Sequence, residues 1–164
     1  MAANYRLAVP GVLQPIRVAV EISLREKILR PTTVVSTARI AHLYGLEPVV
    51  ISRLDSAELL AEKLRALVMR RAGRDVYDVY WLLQQGIPLE PALFWRKMEW
   101  YRRVPGVDPL PALTRTIRSL ESYDVSGERA ELAHLMPAVV KRLDFGVVVE
   151  DVRRALRLVR QAAP

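Results

Sequence analysis

The sequence predicts an α+β fold: a small antiparallel sheet in the N-terminal third, then a helical bundle, predominantly helical overall. Three observations carry this expectation. "PIRVAVEIS", residues 15–23, alternates, with Ile16, Val18, Val20 and Ile22 on one side and Arg17, Ala19, Glu21 and Ser23 on the other. "DSAE", residues 55–58, is a helix start. Beyond it, apolar residues recur at helical spacing almost to the C-terminus. At 164 residues the chain is long enough for one domain with a substantial core. Residues 1–54 form its sheet portion and 55–164 its helical portion.

The remaining strands follow from β-branched runs. "TTVVSTARI" and "PVVIS" read as strands, with turns near Pro31 and in "YGLEP", so the sheet spans residues 15–52. The first helix starts at Asp55 or Ser56 as cap, with Glu58 where a capping box places its acid. It runs to about Arg71, and Gly73 is a natural stop. A second helix runs from Arg74–Asp75 to Gln85, ended by Gly86 and Pro88. It is nearly apolar all round, which predicts a central place in the bundle. Residues 90–103 and 110–122 read as two more helices, split by "VPGVDPLP". Another covers 127–143, interrupted or restarted at Pro137. The last, 147–162, puts Val148, Val152, Ala155, Leu156 and Val159 on one face and Arg153, Arg154, Arg157 and Arg160 on the other.

Composition narrows function. With no cysteine, disulfides and thiol chemistry are excluded, and two histidines, His42 and His134, do not supply the usual Cys/His zinc site. His42 reads as a turn or strand-surface residue. No apolar run reaches the roughly 18 residues of a membrane span, and "MAANYRLAVPG" lacks a signal-peptide layout. A soluble, cytoplasmic protein is expected. Net charge is +7, and 21 of the 25 basic residues are Arg, whose planar fork suits phosphate. "FWRKMEWYRR", residues 94–103, interleaves Trp95, Trp100 and Tyr101 with Arg96, Lys97, Arg102 and Arg103. This composition fits stacking on single-stranded RNA, or an amphipathic helix with Phe94 and Met98 in the core.

The informative charges lie in "AEKLRALVMRRAGRDVYDVYWLL", residues 61–83. On a wheel of 100° per residue, Glu58, Glu62 and Arg65 fall on one side and Leu60, Leu64, Leu67 and Val68 on the other. Lys63 and Arg70 project onto the margin of the apolar face. A lysine there needs a partner, because an unpaired buried ammonium is too costly. Asp75 and Asp78 are the acids of the next helix, three residues apart on one side. If that helix folds back, either meets Lys63 or Arg70 and the group is a site. Alternatively, Asp75 caps its helix with Asp78 as reciprocal partner, and Lys63 closes a structural ion pair.

These residues resemble the signature of the AbiEii/AbiGii toxin family, nucleotidyltransferase-like proteins of toxin–antitoxin systems. They are Glu62-Lys63 with Ala66, then Arg70, then Arg74-Asp75-Val76-Tyr77-Asp78, preceded by the strand "IRVAVEIS". The likeness is specific over some thirty residues and looser over 15–85, with 90–164 as a variable helical tail. It implies that 1–54 ends a nucleotidyltransferase core and that Lys63 contacts phosphates while Asp75 or Asp78 orients it or serves the chemistry. It further implies that Arg70, Arg74 and Tyr77 hold triphosphate or tRNA. The sequence departs from the family pattern in having no Gly-Ser pair and no Asp-x-Asp, the elements whose carboxylates hold Mg²⁺ for phosphoryl transfer. Glu21 stands as a candidate third carboxylate. Mg²⁺ is expected only for a complete enzyme and not for this chain alone. The chain then reads as the C-terminal half of a toxin, inactive by itself, whose partner is a missing N-terminal catalytic half or an antitoxin. The alternative is a non-catalytic module binding RNA or a partner.

Overall fold

A computed structural model of the chain describes residues 2–7, 13, 16–21, 28–35, 42, 43, 45, 47, 50–70, 73–124, 126, 132, 133 and 141–164. Four strands precede the helices: β1 (Ala2–Leu7), β2 (Ile16–Glu21), β3 (Pro31–Val35) and β4 (Val50–Leu54). They make two antiparallel ladders, not one sheet. β1 pairs with β2, setting Ala2 opposite Glu21 and Leu7 opposite Ile16, and β3 pairs with β4, setting Pro31 opposite Leu54. Pro31 therefore begins a strand instead of a turn, where its missing N–H costs no ladder bond. The turn in "YGLEP" falls on Gly45, whose φ of 61° suits a residue without a Cβ. β1 was not expected, although Ala3, Tyr5 and Leu7 alternate with Asn4 and Arg6 as in a short strand. The expected strand over 36–40, residues 127–131 and 134–140 of the expected helix over 127–143, and every β2 side chain except Arg17 lie outside the described residues; Leu132–Ala133 is helical, whereas 141 and 142 form a turn and 143 is not helical.

Five α-helices follow among the described residues: α1 (Ser56–Arg70), α2 (Gly73–Gln84), α3 (Pro91–Arg102), α4 (Pro109–Ser119, extended by a 3₁₀ turn Leu120–Ser122) and α5 (Phe145–Gln161). The fold is thus α+β and predominantly helical. None of these helices is long and apolar enough to cross a membrane. Local chemistry sets their ends. Asp55 caps α1, accepting from the Ala57 and Glu58 amides at 3.0 and 3.4 Å. Asp108 and Asp144 cap α4 and α5, with Pro109 pre-set for the first turn of α4. α2 ends where Gly86, at φ 71°, lets the Ile87 N–H reach back to the Leu82 carbonyl and its own N–H reach Leu83. Gly73 opens α2 instead of stopping α1.

α1 is the central helix. It packs against α2, α3 and α4, and α5 closes the bundle over α2, α4 and α3. Leu60, Leu64, Leu67 and Val68 meet Val79, Phe94, Met98, Leu113 and Ile117 in the core. α5 buries Val148, Val152, Ala155, Leu156 and Val159, the face its spacing predicts. Burying each of its larger side chains is worth about 1.5–3 kcal/mol. α2 is not central. Val76, Val79 and Leu82 are buried, but Trp81 is 49% exposed and Tyr77 and Tyr80 are half-buried. Its all-round apolar character reflects aromatic residues at the surface.

The flank of α1 that carries Glu58, Glu62 and Arg65 is not a solvated face. Glu58 is wholly buried, and the Lys97 side chain of α3 is only 4% exposed. The Lys97 ammonium pairs with both Glu58 and Glu62, the latter at 2.9 Å. Glu62 also accepts from Arg65 at 2.7 Å, and Arg65 donates to the Tyr101 hydroxyl at 2.7 Å. Glu58 does not turn back as a capping box requires. Its carboxylate accepts the Leu29 and Arg30 amides, fastening the start of β3 to α1. Arg30 is bound twice more: its carbonyl accepts from the Asp55 amide at 3.0 Å, and its guanidinium grips Glu90, ahead of α3, through bonds of 2.8 and 2.7 Å.

Burial alone would raise the Glu58 pKa, but the Leu29 amide, the Lys97 ammonium and the Arg30 amide outweigh it and hold it below the ordinary glutamate value. Burial alone would lower Lys97, yet Glu58 and Glu62 together hold it above the ordinary lysine value. Removing Lys97 strands Glu58. Lys97→Met should lose about 3–5 kcal/mol in urea denaturation. The Glu58→Gln/Lys97→Met pair should recover part of that loss, because no unpaired charge remains.

The acid limb follows from sign. A depressed Glu58 contributes stability above its unfolded pKa of about 4.3, and that contribution is lost as pH falls through the lower folded value. A raised Lys97 contributes below its unfolded pKa of about 10.4 and is lost only above its folded value. Urea unfolding followed from neutral pH downward should therefore show stability falling below about pH 4.3. That fall should be shallower in the double variant.

Candidate functional site

The opposite flank of α1 carries Lys63 and Arg70. α2 folds back beside it, and each cation finds one acid. The Lys63 ammonium lies 2.6 Å from Asp78 Oδ2. Arg70 makes a two-pronged contact with Asp75, Nε to Oδ2 and Nη2 to Oδ1, both 2.7 Å. The sequence reading left Asp75 and Asp78 open as partners for Lys63, and Asp78 is the partner observed. Asp75 is not a cap. It lies inside the first turn of α2, where an acid also suits the helix dipole.

The two pairs differ in environment. The Lys63 and Asp78 side chains are 32% and 36% exposed. Lys63 is therefore not a stranded core ammonium but a cation at the edge of solvent. Of its three N–H donors, Asp78 engages one, and solvent reaches the side chain. Asp75 is wholly buried while Arg70 is 51% exposed, so Arg70 covers the carboxylate with its outer edge open. Asp75 and then Asp78 raise the Arg70 pKa further, against a smaller opposing effect of burial. The guanidinium is a permanent charge.

The other expected site residues are placed less tightly. Arg74 is exposed on the first turn of α2 and, among the described residues, joins no ion pair. Tyr77 is half-buried and packs on a small cluster of Leu132 and Phe145. Burial first, then Asp78, raises its pKa. Glu21 ends β2 opposite Ala2, and its side chain lies outside the described residues. In "FWRKMEWYRR", Phe94 and Met98 are core, as the amphipathic alternative requires. Trp95 and Lys97 are also buried, and the Trp95 indole N–H donates to the Val159 carbonyl at 3.0 Å, so neither is offered to RNA. The arginines on the outer face of α5 are partly neutralised at home. Arg153 pairs with Glu150, Arg154 with Asp151 at 3.5 Å and Arg157 with Glu121 at 3.4 Å.

Comparison with known proteins decides the lineage. A family model described as "Nucleotidyl transferase AbiEii toxin, Type IV TA system" matches residues 2–156. The chain belongs to the AbiEii family. It is a nucleotidyltransferase-like member of the type IV toxin–antitoxin toxins, and membership implies an antitoxin counterpart. The match takes in β1 and most of α5, so the kinship extends well beyond the thirty-residue signature and the helical tail falls within it. No curated protein and no solved structure gives a match.

Nucleotide transfer in an AbiEii protein implies Mg²⁺, which takes oxygen ligands converging from carboxylates. The described residues do not fit that ion. Asp75 has both oxygens on Arg70 and no exposure, and Asp78 is held by Lys63. Among the described residues no three His, Asp or Glu side chains gather as a metal site.

The contrast in burial gives an unequal pair of mutational costs. Arg70→Ala leaves Asp75 buried without its two charge-assisted bonds and should destabilise by about 2–3 kcal/mol. Lys63→Ala breaks a solvent-reachable pair and should cost no more than about 1 kcal/mol. Thermal and urea unfolding of the two variants side by side check this. Equal losses would make Lys63 a structural residue.

Proposed function

We propose that this AbiEii chain holds the anionic end of a nucleotide at the α1–α2 flank, as a toxin component that binds nucleotide or tRNA and does not transfer nucleotides by itself. The observation that carries the reading is the Lys63–Asp78 pair: close enough to orient the ammonium, open enough to admit a ligand. Asp78 fixes where Lys63 points, and the remaining N–H donors are available to phosphate oxygens. Arg70, anchored from behind by Asp75, presents its open edge, and Arg74 adds an exposed cation one turn away. Three cations carried by one helix pair suit a triphosphate. Tyr77 lines the neighbouring surface.

Transfer needs more. Metal ions must bridge the phosphates and a group must position the nucleophile. Asp75 and Asp78 are each neutralised by a cation, which discourages a metal ion. Glu21, the remaining carboxylate of the proposed set, is one group, too few for a two-metal clamp. A complete enzyme would draw its Mg²⁺ ligands from residues outside this set. The same engagement of the acids favours a second reading, a non-catalytic module that binds RNA or a partner subunit through the same cations.

Two measurements separate these. Calorimetric titration with nucleoside triphosphates should show binding, and Lys63→Ala should weaken it about tenfold or more, the scale of one lost charge-assisted bond. Incubation with radiolabelled nucleoside triphosphates, tRNA and Mg²⁺ should give no labelled RNA. Absence of nucleotide binding would sink the first reading in favour of the second. Labelling by the wild-type chain that vanishes in Lys63→Ala would show that the chain is a complete transferase.

A further inference from the structure

α3 presents two faces of opposite chemistry. Its inner face places Phe94, Trp95, Lys97 and Met98 in the bundle. Arg96, Trp100 and Arg103, at i, i+4 and i+7, are left on one outward strip. Trp100 is 36% exposed, a large ring for such a position. It stands edge-on to Tyr101, with ring centroids 4.9 Å apart and planes at 83°. Tyr101 is itself fixed by the hydrogen bond from Arg65, which is tied through Glu62 to Lys97. The exposed indole is therefore braced by contacts that run into the core, so little rotamer freedom remains to be lost on binding.

Arg96 and Arg103 are exposed on either side of this ring and, among the described residues, enter no ion pair. Glu99, beside Trp100, is the acid on the exposed side of α3, so positive charge prevails there. Two unpaired guanidinium groups bracketing a braced indole match a chain of phosphates bearing flat rings. A duplex would satisfy the arginines but keep its bases stacked away from Trp100. An acidic protein surface would satisfy the arginines and leave the ring without a planar partner.

We propose that the Arg96–Trp100–Arg103 strip of α3 binds single-stranded RNA, the indole stacking on an unpaired base and the two arginines taking flanking phosphates. The choice of RNA over DNA rests on the proposed function, which gives the chain tRNA as a ligand. The strip itself does not depend on Lys63. It joins α1 through the Glu62–Arg65 flank, whereas Lys63 and Arg70 occupy the flank against α2.

The test is fluorescence anisotropy with a labelled oligoadenylate of roughly ten nucleotides, within the site sizes of such surfaces. Trp100→Ala should weaken binding about tenfold, and Trp100→Phe should restore most of it. Arg96→Gln and Arg103→Gln should each reduce the salt slope of log affinity by about 0.7. Duplex RNA should not distinguish Trp100→Ala from wild type. Wild-type affinity in a Trp100→Ala protein that melts normally overturns the proposal, as does DNA of the same sequence binding as tightly as RNA. Should Trp100→Ala melt early, Trp100→Phe and the two Arg variants decide, and an unchanged salt slope in both overturns it. Nucleotide affinity lost in Lys63→Ala but kept in Trp100→Ala, with the reverse pattern for oligoadenylate, separates this strip from the α1–α2 site. Failure of one then leaves the other standing.

Discussion

The pairing of Lys97 with Glu58 and Glu62 is the contact on which the arrangement of this molecule depends. Glu58 of α1 and Lys97 of α3 have left water together, with Glu62 half-buried beside them, and either buried charge would be intolerable there alone. An apolar trio of the same size would hold α1 against α3 as well. It would not hold the amides of Leu29 and Arg30, which need an acceptor at that depth. Glu58 serves both purposes. It closes the α1–α3 interface and fastens the two residues just before β3 to the bundle, and Arg30 then ties the same segment to Asp55 and Glu90. A buried charge that adds little stability of its own thus satisfies backbone groups that no apolar side chain can bond.

α1 divides labour between its flanks. The flank toward α3 is closed, its charges mutually satisfied and withdrawn from ligand. The flank toward α2 is graded: Asp75 is buried, Arg70 half out, Lys63 and Asp78 at the edge of solvent. The gradient makes the second flank suitable for holding an anion. A fully buried pair would have to break to accept one, and a fully exposed lysine would carry no fixed direction. Of the signature residues, Lys63, Arg70, Asp75 and Asp78 sit on the graded flank, Glu62 faces the closed one, Val76 is in the core and Tyr77 packs on Leu132 and Phe145.

Much of this was legible in the sequence where the cause is local. Helix ends were marked by Asp55 and Gly86, and the buried face of α5 followed from a spacing that nothing interrupts; the caps Asp108 and Asp144 start α4 and α5 one and two residues before the expected 110 and 147. The Lys63–Asp78 contact was legible because a charge on an apolar margin demands a partner and the next helix offered two. The same rule applied to Lys97, between Phe94 and Met98, would have found the deeper network. That lysine read as part of a basic, aromatic run, and composition drew the eye away from spacing. Glu58 was hidden by a local alternative, since an acid three residues after a cap has a ready-made role at the helix end. β1 had a signal too, since Ala3, Tyr5 and Leu7 alternate with Asn4 and Arg6, but the run is short and its pairing with β2 is what makes it a strand.

The attachment of β3 has a consequence for the order in which the chain acquires structure. α1 has its cap and most of its turns within reach of its own sequence, so it forms early. The bond from Leu29 to Glu58 closes a loop across 29 residues, and the Glu58 carboxylate gains its ammonium only when α3, later still, is in place. Until then that acid is better hydrated than bound to two amides, and the strand segment has no fixed anchorage. During synthesis the segment leading into β3 therefore waits on the helices made after it, and residues 28–31 settle only once residue 97 has left the ribosome. Truncations that end between α2 and α3 should leave the β3–β4 ladder exposed to proteolysis and to pairing with other chains, a vulnerability of nascent fragments that the finished protein does not share.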